Sequence, residues 1–353
     1  MVVEITEVVC RVGRSFRQAA SACGLAQKDS VRIAYNSAAM TVTVKSFAKI
    51  NLGLYIGGLR EDGFHELRTV YQTIGLHDLM TVNVERGRGI EIRCQHSAVP
   101  KDESNTCYRI VDRAMAALRA KGRVVIQIEK RLPVQGGMGG ASTNAVAALI
   151  ALERALKKNL RPEERLRIAS EVGSDLPLFL IGGRVLGVGR GEQVFPVVDL
   201  PAMACVVVTP AVGVSTPKAF TEWDRKLTAP DASDRMNLLG RGLSAWLGQM
   251  YSGAPFRRGR RENPLLELVR AGIKNDFEEV VFPEYPELSK GKAALERVGA
   301  KYASLSGSGS TLYGLFASKE AANLAAAKLR KQGWIAQVTM TLPRREYWKK
   351  MLS

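Results

Sequence analysis

Four of the five residues from Gly136 to Gly140 are glycine. They lie in the run Pro133-Val134-Gln135-Gly136-Gly137-Met138-Gly139-Gly140-Ala141-Ser142-Thr143-Asn144, after a β-branched stretch and before an Ala/Leu-rich one. Glycine reaches positive φ without a Cβ clash and lets a ligand approach the main chain. The helix expected from Ser142 through Ala155 offers unpaired N–H groups and a positive dipole end at that point. A strand, a bare turn and a helix N-terminus together suit a polyphosphate. Ser142 and Thr143 can add hydroxyls to a phosphate or to a magnesium ion beside it. Better-known phosphate loops are excluded. No Lys follows the glycines as in a Walker loop, and no acidic residue closes a second strand about 20 residues on, as a dinucleotide fingerprint requires.

The chain has 353 residues, a length that suits two domains of roughly 100–200 residues each. Apolar residues make up 46% and charged ones 24%, with no run near the ~18–20 apolar residues of a bilayer span, so a soluble protein without membrane attachment is expected. Glu4, Glu7, Arg11, Arg14 and Arg17 leave no room for a secretory core near the start. Five scattered cysteines without C-x-x-C spacing fit a reducing cytoplasm rather than a disulfide frame or zinc site. The formal charge of +17 is spread along the chain, with a local cluster at Arg257, Arg258, Arg260 and Arg261. No aromatics are interleaved there at stacking spacing, so steering of anionic small molecules is favoured over nucleic-acid binding.

Residues 1–40 read as an N-terminal extension. Ordered patterning starts at Thr41-Val42-Thr43-Val44-Lys45. Met80–Glu85 and Gly89–Arg93 read as strands paired around a glycine turn, Asn105–Lys121 as a helix, and Val124–Glu129 as the strand feeding the glycine loop. Pro162–Val172 opens with a helix-starting proline. The composition resets near Pro201, before the buried-type strand Ala204–Thr209. Ser304–Phe316, Lys319–Gln332 and Trp334–Leu342 then read strand, helix, strand. The expectation is an α+β chain in two domains, 41–199 and 200–353.

Phosphoryl transfer needs a cradle for phosphates, a cation to offset developing charge and a group to position or deprotonate the acceptor. Beside the glycine loop, two singular polar residues fit the latter roles. Lys49 interrupts the apolar run Phe47-Ala48-Lys49-Ile50-Asn51-Leu52, and Asp175 lies in Gly173-Ser174-Asp175-Leu176-Pro177 past a helix end.

Ala48-Lys49-Ile50-Asn51-Leu52, the glycine loop, Gly-Ser-Asp-Leu-Pro and Ser306-Gly307-Ser308-Gly309 occur in the order found in the GHMP (galactokinase, homoserine, mevalonate, phosphomevalonate) kinases, which this chain resembles from about residue 41 to 343. Within them Gly58-Leu59-Arg60-Glu61-Asp62-Gly63-Phe64-His65-Glu66-Leu67 is most similar to the G-x-R-x-D-G-Y/F-H-x-L segment of the 4-diphosphocytidyl-2-C-methyl-D-erythritol kinases. The resemblance implies a ribosomal-protein-like amino-terminal domain that binds ATP and a ferredoxin-like carboxy-terminal one. It implies transfer of the γ-phosphoryl of ATP, with Mg²⁺, to a tertiary hydroxyl of a cytidyl-diphosphate substrate in non-mevalonate isoprenoid synthesis. By matched position Asp175 is the base, and Lys49 keeps it ionised and stabilises the transferring group. Pro133, Gly136, Gly137, Met138, Gly139, Gly140, Ala141, Ser142 and Thr143 line the ATP, with Ser142 toward the Mg²⁺ and Asn105 and Lys130 near the adenine. Asn51, Phe64, His65, Thr216 and Phe220 meet the substrate, Phe64 and Phe220 from opposite faces of the cytosine and His65 at its edge.

The chain departs from that pattern at Gln135 and Ala141, where glycines are usual, and at Ser174, where Ala is common. Ala141 fits beside the phosphates only with negative φ. Two other readings stay open at this point: another GHMP small-molecule kinase of mevalonate or homoserine type, and a basic RNA-binding protein. A monomer or weak homodimer is expected.

Overall fold

The computed structural model describes residues 40–226 and 273–353, with positions 237, 240–245, 248, 265, 266 and 269 between them. The extension read at 1–40, except its last residue, and the Arg257–Arg261 cluster lie outside the described residues.

Two long strands, β1 (Met40–Leu59) and β2 (His65–Glu85), pair antiparallel and form the spine of the first sheet. The alternation at Thr41–Lys45 marks only the start of β1, because every residue from Ser46 to Gly57 is buried. A strand covered on both faces has no polar side to show. Phe47 joins a core with the helices, whereas Ala48, Ile50 and Leu52 join one shared with a second sheet.

β3 (Gly89–Cys94) does not form the expected hairpin with β2. It runs parallel to β4 (Arg123–Glu129), and β4 sits between β3 and β2. The chain returns from β3 through α1 (Thr106–Ala117), which buries Cys107, Ile110, Val111 and Ala114. This crossover permits parallel pairing and lets the most β-branched strand, with Val124 and Ile126 fully buried, take the interior position. β5 (Arg184–Val188) and β6 (Gln193–Pro196) complete the order β3-β4-β2-β5-β6. On this sheet lie α2 (Gly140–Leu156), α3 (Pro162–Val172) and the short α4 (Leu176–Ile181). Ala145 through Leu149 of α2 are completely buried, so the alanines allow close approach on all sides of the helix.

The second sheet is antiparallel, with β7 (Ala204–Val208), β8 (Tyr302–Leu305), β9 (Leu312–Phe316) and β10 (Ala336–Met340) in the order β10-β7-β9-β8. Ser304–Phe316, expected as one strand, is a hairpin whose loop carries Ser306–Thr311. α5 (Thr216–Lys226) and α6 (Glu278–Glu284) precede α7 (Pro286–Arg297) and α8 (Lys319–Lys331). Leu288 and Leu295 of α7 and Ala322, Ala326 and Leu329 of α8 cover one face of this sheet. Its other face, through Cys205, Val207, Tyr313 and Leu315, meets β1. This is the ferredoxin-like half of an α+β fold.

The last helix, α9 (Arg344–Met351), returns to the first sheet's core, with Tyr347 Oη donating to the Phe179 carbonyl at 2.8 Å. The described residues from Met40 to Ser353 thereby form one compact unit.

Candidate active site

Gly137 and Gly139 have φ of 72° and 68°, and Gly139 caps α2 in the left-handed conformation. Gln135 also takes a positive φ, 58°, which in a side-chain-bearing residue costs about 1–2 kcal/mol. This is the physical meaning of its departure from glycine. The loop is tied down on two sides. Lys49 N–H donates to the Met138 carbonyl at 3.1 Å, and Ser306 Oγ donates to the Gly137 carbonyl at 3.0 Å. A Cβ at Gly137 would run into the Ser306 carbonyl oxygen. Gly137→Ala is therefore expected to lower stability by about 2 kcal/mol or more, seen as a depressed Tm, and to raise KM for ATP. Gly58→Ala, with open space around it, should leave both unchanged. Equal melting temperatures for the two variants would refute this account of the loop.

The loop walls a cavity of about 340 Å³ with Pro133, Asn105, Lys130, Ala141 and Ser142. Ala141 lies in the first turn of α2 and is not among the residues of positive φ, which meets its steric condition. Ser142 lies half-buried beside it. Thr143, expected at the ATP, faces the core instead: it is fully buried and its hydroxyl meets Ser46 Oγ at 3.2 Å. One helical position past Ser142 is enough to turn the side chain inward. Asn105 lines the cavity, but its amide is committed. Its Oδ1 accepts from Cys107 N–H at 2.8 Å to cap α1, and its Nδ2 donates to the Pro100 carbonyl at 2.6 Å.

Lys130 is held by Asp78 at 2.8 Å. Asp78, fully buried, also accepts from the N–H groups of Arg131 and Leu132 at 2.6 and 2.7 Å and from Asn144 Nδ2 at 3.0 Å. One carboxylate thus fastens the strand leading into the loop to the first turn of the helix leaving it. The sequence reading missed Asp78, since a lone Asp at a strand's polar position carries no local signal.

The second cavity, about 600 Å³, shares Gly137 and Gly139 with the first and is lined by Lys49, Asn51, Tyr71, Ser174 and Asp175 at that end. Register shifts between Phe47 and Lys49 and between Asn51 and Gly53 bracket Lys49–Asn51. Such irregularities re-aim side chains, and here they turn a lysine of a buried strand into the cavity. Lys49 Nζ donates to Asn51 Oδ1 at 2.7 Å and stands 3.6 Å from Asp175 Oδ2. Burial pulls the Lys49 pKa below its ordinary 10.5, and the Asp175 carboxylate opposes that shift. Asn51 Nδ2 donates to Thr69 Oγ1 at 2.7 Å, so Asn51 orients the ammonium. Tyr71, opposite Asn51 across the β1–β2 pair, donates to Asp175 Oδ1 at 3.0 Å. Burial first, then the Asp175 charge, raise the Tyr71 pKa well above 10.0, so its hydroxyl stays protonated as a donor. Asp175 itself is a third exposed, open to the cavity.

The same cavity is lined by Phe64, His65, Thr216 and Phe220, with Arg190, Asp224 and Phe277. Thr216 Oγ1 and Ser308 Oγ share a hydrogen bond of 2.7 Å. Phe220 lies flat on His65, with centroids 4.8 Å apart and planes at 11°. Phe64 is 49% exposed, and the Arg190 guanidinium covers its ring at 4.7 Å. His65 Nε2 lies 2.6 Å from Asp224 Oδ1. In a neutral imidazole that contact puts the proton on Nε2 and leaves Nδ1 as an acceptor.

The GHMP kinases N terminal domain family matches residues 105–183, and the GHMP kinases C terminal family matches residues 259–334. A curated 4-diphosphocytidyl-2-C-methyl-D-erythritol kinase of Solibacter usitatus is 37% identical over 79% of this chain and 82% of its own length. The enzyme of that name from Moorella thermoacetica is 33% identical over 85% of this chain and 99% of its own. Among solved structures, a 4-(cytidine 5'-diphospho)-2C-methyl-D-erythritol kinase superposes with a TM-score of 0.66 at 27% identity, covering 85% of this chain and 99% of that one. A homoserine kinase from Cytophaga hutchinsonii shares the fold, with a TM-score of 0.61 at 18% identity. The chain belongs to the GHMP kinase family.

Proposed function

We propose that this chain is a kinase that moves the γ-phosphoryl of ATP to the 2-hydroxyl of 4-diphosphocytidyl-2-C-methyl-D-erythritol, in the non-mevalonate route to isoprenoid precursors. The observation that carries the reading is the pair of cavities with a common wall. Gly137 and Gly139 line both, and Lys49 and Asp175 stand on the side of the larger cavity next to that wall. A nucleotide in the smaller cavity and an acceptor in the larger one would meet there. Asp175 takes the proton of the attacking hydroxyl as the new O–P bond forms and the bond to ADP breaks. Lys49 offsets charge on the transferring group. Tyr71 and Lys49 together hold Asp175 toward the acceptor.

Magnesium belongs to this reading. Ser142 lines the phosphate cavity and its hydroxyl has no hydrogen-bond partner among the described residues. A single hydroxyl suits an ion whose other ligands are phosphate oxygens and water. The ion supplies charge neutralisation of the triphosphate. Among the described residues no helix is long and apolar enough to cross a membrane, and Cys94, Cys107 and Cys205 are free and buried, which supports cytoplasmic residence. The domain division at 199/200 rests on the change of sheet between β6 and β7, with α9 crossing back.

The test is an ATP-consumption assay with a panel of acceptors. The diphosphocytidyl substrate is expected to be turned over, and mevalonate, phosphomevalonate and homoserine are not. Turnover of one of those instead would overturn the substrate while keeping the reaction class.

A further inference from the structure

A diphosphocytidyl acceptor carries two negative phosphoryl groups between its base and its reacting end. The larger cavity has an aromatic end and a Lys49–Asp175 end, but Lys49 is already committed to Asn51 and Asp175. Of the described residues lining that cavity, the remaining arginine or lysine is Arg190.

Arg190 sits on the turn between β5 and β6. That turn is fixed to β2 by Leu67 N–H donating to the Gly189 carbonyl at 2.6 Å and by Gly189 N–H donating to Glu66 Oε1 at 3.2 Å. Its neighbour Gly191 packs so close to the Tyr71 hydroxyl that no Cβ would fit, and that hydroxyl donates to Asp175. On the other side the guanidinium rests over Phe64. Arg190 therefore bridges the reacting end and the aromatic end of the cavity. Its guanidinium makes no hydrogen bond among the described residues. Its nearest carboxylate is Glu192 Oε2 at 3.9 Å, and that oxygen already accepts from the Arg190 backbone N–H at 2.6 Å. A fork of donors in a cavity, placed on a fixed turn and hydrogen-bonded to no carboxylate among the described residues, is suited to bidentate phosphate recognition.

We propose that Arg190 is the cation that receives the diphosphate of the acceptor. This rests on the reading of the acceptor as a nucleoside diphosphate derivative. It makes Arg190 a binding and specificity residue, distinct from the Lys49–Asp175 pair.

The test uses the full chain with Arg190→Gln and Arg190→Lys, each checked for unchanged Tm. In Arg190→Gln the KM for the diphosphocytidyl substrate should rise about 10–100-fold, the loss expected for one charged hydrogen-bonding partner, while kcat and KM for ATP stay within about 3-fold. Arg190→Lys, keeping charge but losing the fork, should fall between. An unmoved KM, or an equal rise in KM for ATP, would overturn the assignment. Direct binding separates the two readings. Wild type should bind cytidine 5'-diphosphate more tightly than cytidine, and Arg190→Gln should lose that difference. A difference that persists in Arg190→Gln overturns the role of Arg190 alone. A wild type that binds the two alike, and does not turn over the diphosphocytidyl substrate, overturns the acceptor reading itself.

Discussion

Asp175→Asn is expected to lower kcat by about 10²–10⁴-fold, the range lost with a general base, while KM for ATP stays within about 3-fold. Asparagine keeps the shape of the side chain, and its Oδ1 can still accept from the Tyr71 hydroxyl, which now lies 3.0 Å from the carboxylate. What disappears is the ability to take a proton. Nucleotide binding should survive because Asp175 lines the larger cavity and is not among the residues lining the smaller one. Steady-state kinetics together with equilibrium binding of ATP check this. A collapse of ATP affinity would mean that Asp175 holds the nucleotide or its metal ion. A fall in kcat of less than about 3-fold would remove it as the base.

The residues legible in the sequence were those whose local setting is anomalous. A cluster of glycines between strand and helix, a lysine in an apolar strand and an aspartate after a helix end each break the pattern around them. Their joint occurrence in one order is what identified the family. Tyr71, Asp78 and Arg190 lack that property. Tyr71 reads as an ordinary core aromatic of β2, and only pairing of β2 with β1 sets it opposite Asn51 and within reach of Asp175. Asp78 is buried because four donors from residues 52–66 positions away converge on it, a long-range arrangement no window of sequence contains. The expected β2–β3 hairpin fails for the same reason. A glycine turn between two strands predicts a hairpin locally, whereas the α1 crossover settles the partner at long range. The positive φ of Gln135 is likewise set by the tertiary path of the loop, against the preference of the residue.

Lys49→Met is expected to lower kcat by about 10²–10³-fold, the loss found when one preorganised charge-stabilising group is removed. A structural role would instead show as lost stability, and here the sign is informative. The folded-state pKa of Lys49 lies below its unfolded value of 10.5 because burial outweighs the attraction of Asp175. The unfolded chain therefore binds more protons in the window between the two values. The burden of holding the ammonium is fully present below the folded pKa and is relieved as pH rises toward 10.5. Methionine removes that burden, and Asp175, a third exposed, can be resolvated. Tm of the variant at neutral pH should be unchanged or higher even as turnover falls. Catalysis follows the opposite course, since it needs the ammonium. The basic limb of the wild-type kcat profile should begin below 10.5. In Asp175→Asn, which deletes the charge that raises the Lys49 pKa, the limb of the residual activity should move to still lower pH. A Lys49→Met protein that melts markedly lower, or a basic limb that moves upward in Asp175→Asn, would show that the pair is a structural ion pair rather than a tuned catalytic one.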